Sequence, residues 1–490
     1  MQDLLSASTP SSDEAQYPHL FDGFDVDNQT GFMPPDPPVS RLPFPWTLWE
    51  DVLDEAIHRK LQLGEKSGLT RGEEEESEMW RRCVRELPIK PISHSLASSE
   101  ALLRRAHLVL GWTMHFYVHT LPPTSPIRIP PPISIPLLQV SEKLQLPPVL
   151  TYSDVVLYNW RSIDTDANDD DDDASQAPSA SSWTHPGISL ATPLRINTTF
   201  TSTPDESKFY LTSARMELRG VEALSLMRSI IHEISISDDN SVRRVTTNLT
   251  NMKDVIRDVK ELMMDVRSGV GFETFYRDIR PWFRGQDSSA SNQGRMWVFG
   301  GLEEWNEGVD EYNLRLDIDG DLKTYTYPPL LRRERLIQPT DLSGSSTGQS
   351  ALIQIFDIFL GVCSAAKEEM GVLTKMQKYM PRHHRAFLSY LMSTEHKVQE
   401  FVLRGKDDDR VNHIGTGTNL GGNEERDALR SAYYDARNTL KQLRTEHLVI
   451  VAQYILAPAR RESTGGSPGT KGTGGTDTFK FLKSIRDLTT

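Results

Sequence analysis

The chain of 490 residues sets Lys+Arg 54 against Asp+Glu 68, a formal charge of 54 − 68 = −14, with 37% hydrophobic residues, 31 glycines and 30 prolines. That length suggests two or three domains, and nine Trp with seventeen Phe require a core that polar insertions dilute. The acidic balance argues against a nucleic-acid partner, which needs a basic face, and the two cysteines, Cys83 and Cys363, exclude a disulfide framework or a thiolate-rich metal site.

The first residues, MQDLLSASTPSSDEAQ, lack the basic start and apolar core of a signal peptide. The longest apolar run, Ala351 to Ala366, is interrupted by Gln354 and Asp357 and is too short for a bilayer. A soluble cytoplasmic protein without a membrane partner is expected. Residues 1–45, polar and Pro-rich, predict an arm with little regular structure. A helix is predicted from Trp46 to about Gln62, and another from the capping serines Ser98 and Ser99 to about His119. Nine prolines between Pro122 and Pro148 predict an extended connection packed on the body. Residues 164–186, an Asp run followed by Ser, Ala and Pro, predict a disordered loop. The run lacks the ligand spacing, turn glycine and closing Glu of a calcium loop. Further polar loops are predicted at Leu302–Leu342 and Gly405–Glu424, and helices at Thr212–Ser237, Val242–Val266, Gly348–Ala366, Pro381–Ser393, His396–Leu403, Asp427–Leu456 and Thr476–Leu488. The expected architecture is mostly α, with long polar loop insertions: an arm (1–45), a small helical domain (46–163), an acidic insertion (164–195) and a large helical domain (196–490).

Several motifs bear on chemistry. Gly344-Ser345-Ser346-Thr347-Gly348 fits GxSxG, but no strand precedes it to form a nucleophile elbow. Gly472-Thr473-Gly474-Gly475 lacks the Gly-Lys-Ser/Thr ending of a phosphate loop. His115 and His119, at i and i+4, could share a metal or be ordinary helix histidines. His447 falls on the apolar face of Leu440, Leu443, Val451 and Ile455, where a core histidine is the default. His384 shares a face with Phe387 and Leu388 and is bracketed by Arg382 and Arg385. That is either a core histidine or a haem site, with nitrogen for iron and cations for propionates. Phe275, Ile279, Trp282 and Phe283 form an aromatic face beside Arg280, either a core edge or a slot for a flat substrate bearing a carboxylate.

Taken together these segments resemble the indoleamine 2,3-dioxygenase family. The resemblance runs from Gly31-Phe32-Met33-Pro34 through Leu146–Tyr152, Val156–Trp160, Ser345–Gln349 and Tyr379–Leu388 to Ile455–Ala459 and Lys471–Asp477. It implies two helical domains around haem b, and oxidation of L-tryptophan by O2 to N-formylkynurenine, the first step toward NAD, by a monomer. The register of YMPRHHRAFL selects His384 as the iron ligand, with Ser346, Thr347, Asp357 and Arg382 also at the cofactor. The resemblance places Tyr152, Val155, Val156, Phe209, Ser213, Phe275, Tyr276 and Phe283 around the indole, with Ser213 near the reacting atoms. Arg280 pairs with the substrate carboxylate, Ser345, Ser346 and Thr347 touch haem edge and substrate, and Thr473 closes over the amino-acid group. The cofactor then carries the oxygen chemistry, and no carboxylate dyad is needed. Where the family usually has Gly-Gly-Ser-Ala, this chain has Gly344-Ser345-Ser346-Thr347, and Tyr276 stands where a second Phe is common. The bulkier loop motivates a second reading: a haem-binding protein with weak or no tryptophan turnover, acting as a sensor or on another indole.

Overall fold

The computed structural model describes residues 21, 23–163, 189–288, 295–307, 315–318, 321–324, 335–362, 367–394, 397–404, 423–462 and 478–489. The acidic run at 164–186, most of the loop expected at 405–424, and Thr473 lie outside them. Helices dominate the described residues, and their strands form only short two-stranded pairs. The mostly α architecture holds.

The helix Glu100–His119 runs through the first of two cores. Ser99 accepts from the Leu102 amide at its start, and every residue from Leu103 to Val118 is buried. A helix enclosed on all sides must find partners for its polar side chains. Arg105 forks onto Glu50 at 2.9 and 2.6 Å, and His107 Nδ1 lies 2.9 Å from Asp154 Oδ1. His115 donates from Nδ1 to the Trp282 carbonyl (2.7 Å) and accepts at Nε2 from the Leu150 amide (3.3 Å). His119 Nε2 meets the Arg284 carbonyl at 3.0 Å. The two histidines that could have shared a metal are therefore engaged by backbone.

Helices also form where none was expected, at His94–Ala97, Leu302–Glu307 and Lys367–Gln377 and in two longer segments of the first core. Arg71–Glu86 is a further helix, started by a Thr70/Glu73 capping box and held by buried Trp80 and Val84. The proline-rich segment contains the helix Pro131–Leu144. Pro130 caps it, and Pro131 and Pro132 occupy its first turn, where an N–H has no intrahelical acceptor. Only Pro136 interrupts the ladder, at roughly 3 kcal/mol. Burying Ile133, Ile135, Leu137 and Val140, each worth roughly 2 kcal/mol, outweighs it.

The second core joins Pro204–Ile236, Ser241–Met264, Ala351–Phe359, Arg382–Ser393 and Asn423–Val451. Residues 23–45, expected as a loose arm, have little regular structure but are packed in: Phe21 and Phe32 belong to the second core, Met33 and Leu42 to the first. Phe21 meets Phe387 edge-on at 4.7 Å. Among the described residues no helix is long and apolar enough to cross a membrane.

Burial holds His115 neutral, with its pKa lowered to about 4, and pushes His119 well below the usual 6.5. A depressed base binds fewer protons folded than unfolded, so this stability is present above pH 6.5 and is lost as pH falls toward 4. His115 alone accounts for about 3 kcal/mol, taking 1.36 kcal/mol per pKa unit. The Tm of the apoprotein should drop steeply from pH 6.5 to 4, and His119→Gln should flatten that drop in a pH series of thermal melts.

Candidate functional site

At the junction of the two cores lies a cavity in which the centre of a water-sized sphere can explore about 260 Å³. Its first wall is a π-helical turn, Ser153–Leu157, preceded by Tyr152. Asp154 holds the turn, accepting from the Thr151 amide (2.8 Å) and hydroxyl (2.7 Å) while its other oxygen faces His107. Tyr152, Val155 and Val156 are thereby presented to the cavity.

The second wall is the first half of the helix Pro204–Ile236, where Phe209, Ser213, Met216 and Glu217 repeat on one helical face. The third is the irregular stretch Phe275–Phe283, a π turn followed by a 3-10 turn. The Phe209 ring lies 4.9 Å from Phe275 and 6.1 Å from Phe283, so three phenylalanines make a continuous aromatic surface. Arg280 lies at its end, 6% exposed. Burial, reinforced by Arg284, lowers its pKa to about 10, which leaves it charged at neutral pH in a dry setting. A guanidinium there attracts a carboxylate far more strongly than one in water.

The fourth wall is the serine loop. A Cβ on Gly344 would fall 1.8 Å from the Phe283 carbonyl oxygen, and one on Gly285 would fall 2.4 Å from Gly344 N. Only two facing glycines allow this backbone approach, and it fixes Ser345–Thr347 beside the Arg280 turn. Gln349 completes the clamp, accepting from the Tyr152 amide (2.8 Å) and donating to the Gly344 carbonyl (2.9 Å). Ser345 does not have the positive φ that would call for glycine. The GxSxG match follows irregular backbone and is no nucleophile elbow.

Across the cavity, Leu443, Arg444, His447, Ile450 and Val451 line one face of Asn423–Val451. Arg444 pairs with buried Asp357 and donates to the Ile485 carbonyl (3.1 Å). Burial pushes the Asp357 carboxyl up, against the pull of that guanidinium. His447 is surrounded by protein yet retains partial exposure, as a residue bordering a void does. Burial, then Arg444, lowers its pKa to about 4. Its ring nitrogens form no hydrogen bond among the described residues.

The structure gathers Tyr152, Val155, Val156, Phe209, Ser213, Phe275, Arg280, Phe283, Ser345, Ser346, Thr347 and Asp357 around this one cavity. Tyr276 is not among its lining residues; it is half-buried, 5.7 Å from the Arg280 guanidinium. The iron ligand expected from sequence stands apart from these residues. His384 does not line the cavity: it is 1% exposed in the second core, 4.9 Å from the Phe32 ring, with Nε2 3.2 Å from the Asp25 carbonyl. The arm covers it. Arg382 is also turned away, bonded to Glu100 and the Lys143 carbonyl. His447 lines the cavity instead. Glu217 and Arg444 were passed over in the sequence, although Glu217 stands one helical turn beyond Ser213 and Arg444 one turn before His447.

The fold is thus a helical body around a cavity with an aromatic wall and a buried arginine. The indoleamine 2,3-dioxygenase family model matches residues 20–490, and the chain belongs to that family. It is 27% identical to the indoleamine 2,3-dioxygenase acdA of Aspergillus candidus, over 96% of each chain. It is 28% identical to the indoleamine 2,3-dioxygenase of Saccharomyces cerevisiae (84% of this chain, 82% of the relative) and 26% identical to the mouse indoleamine 2,3-dioxygenase 1 (95% and 93%).

Gly344→Ala should cost at least about 2 kcal/mol, an overpacking penalty against rigid backbone, read as a lower urea midpoint. Gly72→Ala, whose added Cβ meets nothing within 4 Å, should leave the midpoint unchanged or raise it.

Proposed function

We propose that this chain is a haem-dependent dioxygenase that adds both atoms of O2 across the indole C2–C3 bond of L-tryptophan, giving N-formylkynurenine. The observation that carries this reading is the pairing, in one cavity, of a neutral histidine on one wall with an aromatic slot ending in Arg280 on another. Haem b fits the residues present. His447 offers an unprotonated imidazole without a competing hydrogen bond, and Val372, Leu373, Ile450 and Val451 supply apolar contact around it. We therefore assign the iron to His447 rather than His384, with Ser346 and Thr347 at the cofactor edge and the Asp357–Arg444 pair behind the ligand. When bound, the haem supplies the oxygen chemistry that none of these side chains can perform.

The chain's own residues do the rest. Phe209, Phe275, Phe283 and Tyr152 hold the indole and exclude water, Arg280 binds the substrate carboxylate, and the side chains of Val155, Val156 and Ser213 shape the space beside the ring. Thr473, to which the resemblance gives a place over the amino-acid group, lies outside the described residues. Thr347 lines the cavity with an added hydroxyl and methyl group and supports the second reading, a haem protein that turns tryptophan over weakly or prefers another indole.

His447→Ala should abolish the Soret band of the haem-loaded protein, while His384→Ala, checked for folding by circular dichroism, should keep it. The opposite pattern would return the ligand to His384. With reduced, loaded protein and O2, L-tryptophan should yield N-formylkynurenine, and Arg280→Gln should lower kcat/KM by roughly a hundredfold, the worth of a buried charge-assisted pair. Haem loading without product across a wide range of tryptophan concentrations would favour the second reading.

A further inference from the structure

Glu217 is a buried acid for which neither the fold nor the proposed reaction has yet given a use. It is 2% exposed and borders the cavity from the helix Pro204–Ile236. Its Oε1 accepts from the Tyr152 hydroxyl at 2.9 Å and from the Ser350 hydroxyl at 2.7 Å. Its Oε2 is buried without a hydrogen-bond partner among the described residues. Among the described residues no cation pairs with it: its hydrogen-bond partners are these two hydroxyls, and the other charged or titratable side chains around the cavity are Arg280, His447, the Asp357–Arg444 pair, Tyr210, which donates to Glu206, and Tyr454, which donates to the Val270 carbonyl.

An ionised carboxylate would leave half its charge on an oxygen that neither water nor protein solvates. With both donors directed at Oε1, a proton belongs on Oε2, where it meets no acceptor in the chain itself. Burial accordingly raises the Glu217 pKa to about 7, against the pull of the Ser350 and Tyr152 hydroxyls. An O–H held in a dry wall without an acceptor is a binding group for an anion, because O–H···O⁻ bonds are among the strongest available to a side chain.

We propose that Glu217 is a neutral carboxylic acid whose Oε2–H donates a hydrogen bond to a carboxylate of the haem, so that cofactor binding and retention of one proton are coupled. This rests on the reading of the cavity as a haem site. The proton stays on Glu217 throughout; no bond to carbon is made or broken. Above pH 7 the apoprotein must take up that proton to bind, so affinity falls as pH rises.

The test is a spectrophotometric haem titration of the apoprotein from pH 6 to 9, in the wild type, Glu217→Gln and Glu217→Ala, repeated with the dimethyl ester of the same porphyrin. The wild-type Kd should be flat below pH 7 and weaken above it, by up to tenfold per pH unit. Glu217→Gln, which keeps a donor at every pH, should bind as tightly as the wild type at pH 6 without that weakening, and Glu217→Ala should bind more weakly throughout. The dimethyl ester, having no carboxylate, should abolish these differences. A wild-type Kd with the same pH profile as Glu217→Gln would overturn the proposal, as would affinity that rises with pH, the signature of an ionised Glu217 holding a cation. A pH dependence that appears only on adding tryptophan would assign the acceptor to the substrate and overturn its assignment to haem. Absence of a Soret band at every pH would overturn the haem reading itself, and this proposal with it, whereas a loaded protein with a flat Kd overturns only the role of Glu217. Thermal melts of the apoprotein give a readout without haem. An acid whose pKa is raised on folding binds more protons folded than unfolded between its two pKa values, so the wild type should lose Tm relative to Glu217→Gln as pH rises from 4.5 to about 7 and hold a constant difference above that.

Discussion

The constraint on which the structure depends is the enclosure of Leu103–Val118, the run of the helix Glu100–His119 in which every residue is buried. A helix buried on every side cannot leave arginines and histidines to water, so each must be met by something brought from elsewhere in the chain. What is brought is the site. His107 takes Asp154, which holds the turn carrying Val155 and Val156; His115 and His119 take the carbonyls of Trp282, within the short turn begun by Arg280, and of Arg284, directly after it. Two walls of the cavity are thus set by one helix that touches neither substrate nor cofactor in the proposed reaction. Their spacing is as rigid as the core itself.

Much of this was legible in the sequence where the cause was local. Ser99 announced a helix start by its capping chemistry, whereas the helix expected from Thr212 begins at Pro204, so that Phe209 joins Ser213 on a face that spacing had not shown. The aromatic cluster around Arg280 read as either a core edge or a slot, and only the resemblance favoured the slot. The proline-rich helix was missed for an equally physical reason. Counting prolines treats all positions alike, whereas three of the four between 130 and 136 fall at a cap or in a first turn, where the missing N–H has no consequence.

The histidines show where local reasoning ends. His384 and His447 both stand on apolar helical faces next to arginines, and nothing within ten residues of either tells ligand from filler. What separates their surroundings is a contact 359 residues away in sequence: the arm brings the Asp25 carbonyl and Phe32 onto His384 and closes it off, while His447 borders the cavity and has no such contact among the described residues. Glu217 was illegible in a different sense. Its position followed from helical spacing, but the significance of its carboxyl depends on which of its two oxygens Tyr152 and Ser350 address.

The short strand pair at the base of the acidic insertion has a consequence for how this chain tolerates change. Trp160–Ser162 runs antiparallel to Leu194–Ile196, and beyond the ladder Asn159 grips Thr198 through two further bonds of 2.8 and 2.9 Å. The stem joins the end of the Val155–Val156 turn to the approach of the helix bearing Phe209, so both cavity walls are tied together below the insertion. Once the two ends of a loop are pinned by such a ladder, doubling the loop's length costs only about 0.6 kcal/mol. The intervening stretch can be lengthened, shortened or rewritten in charge over evolutionary time while the cavity walls keep their separation. The stem makes this a place where sequence drifts without the site having to follow.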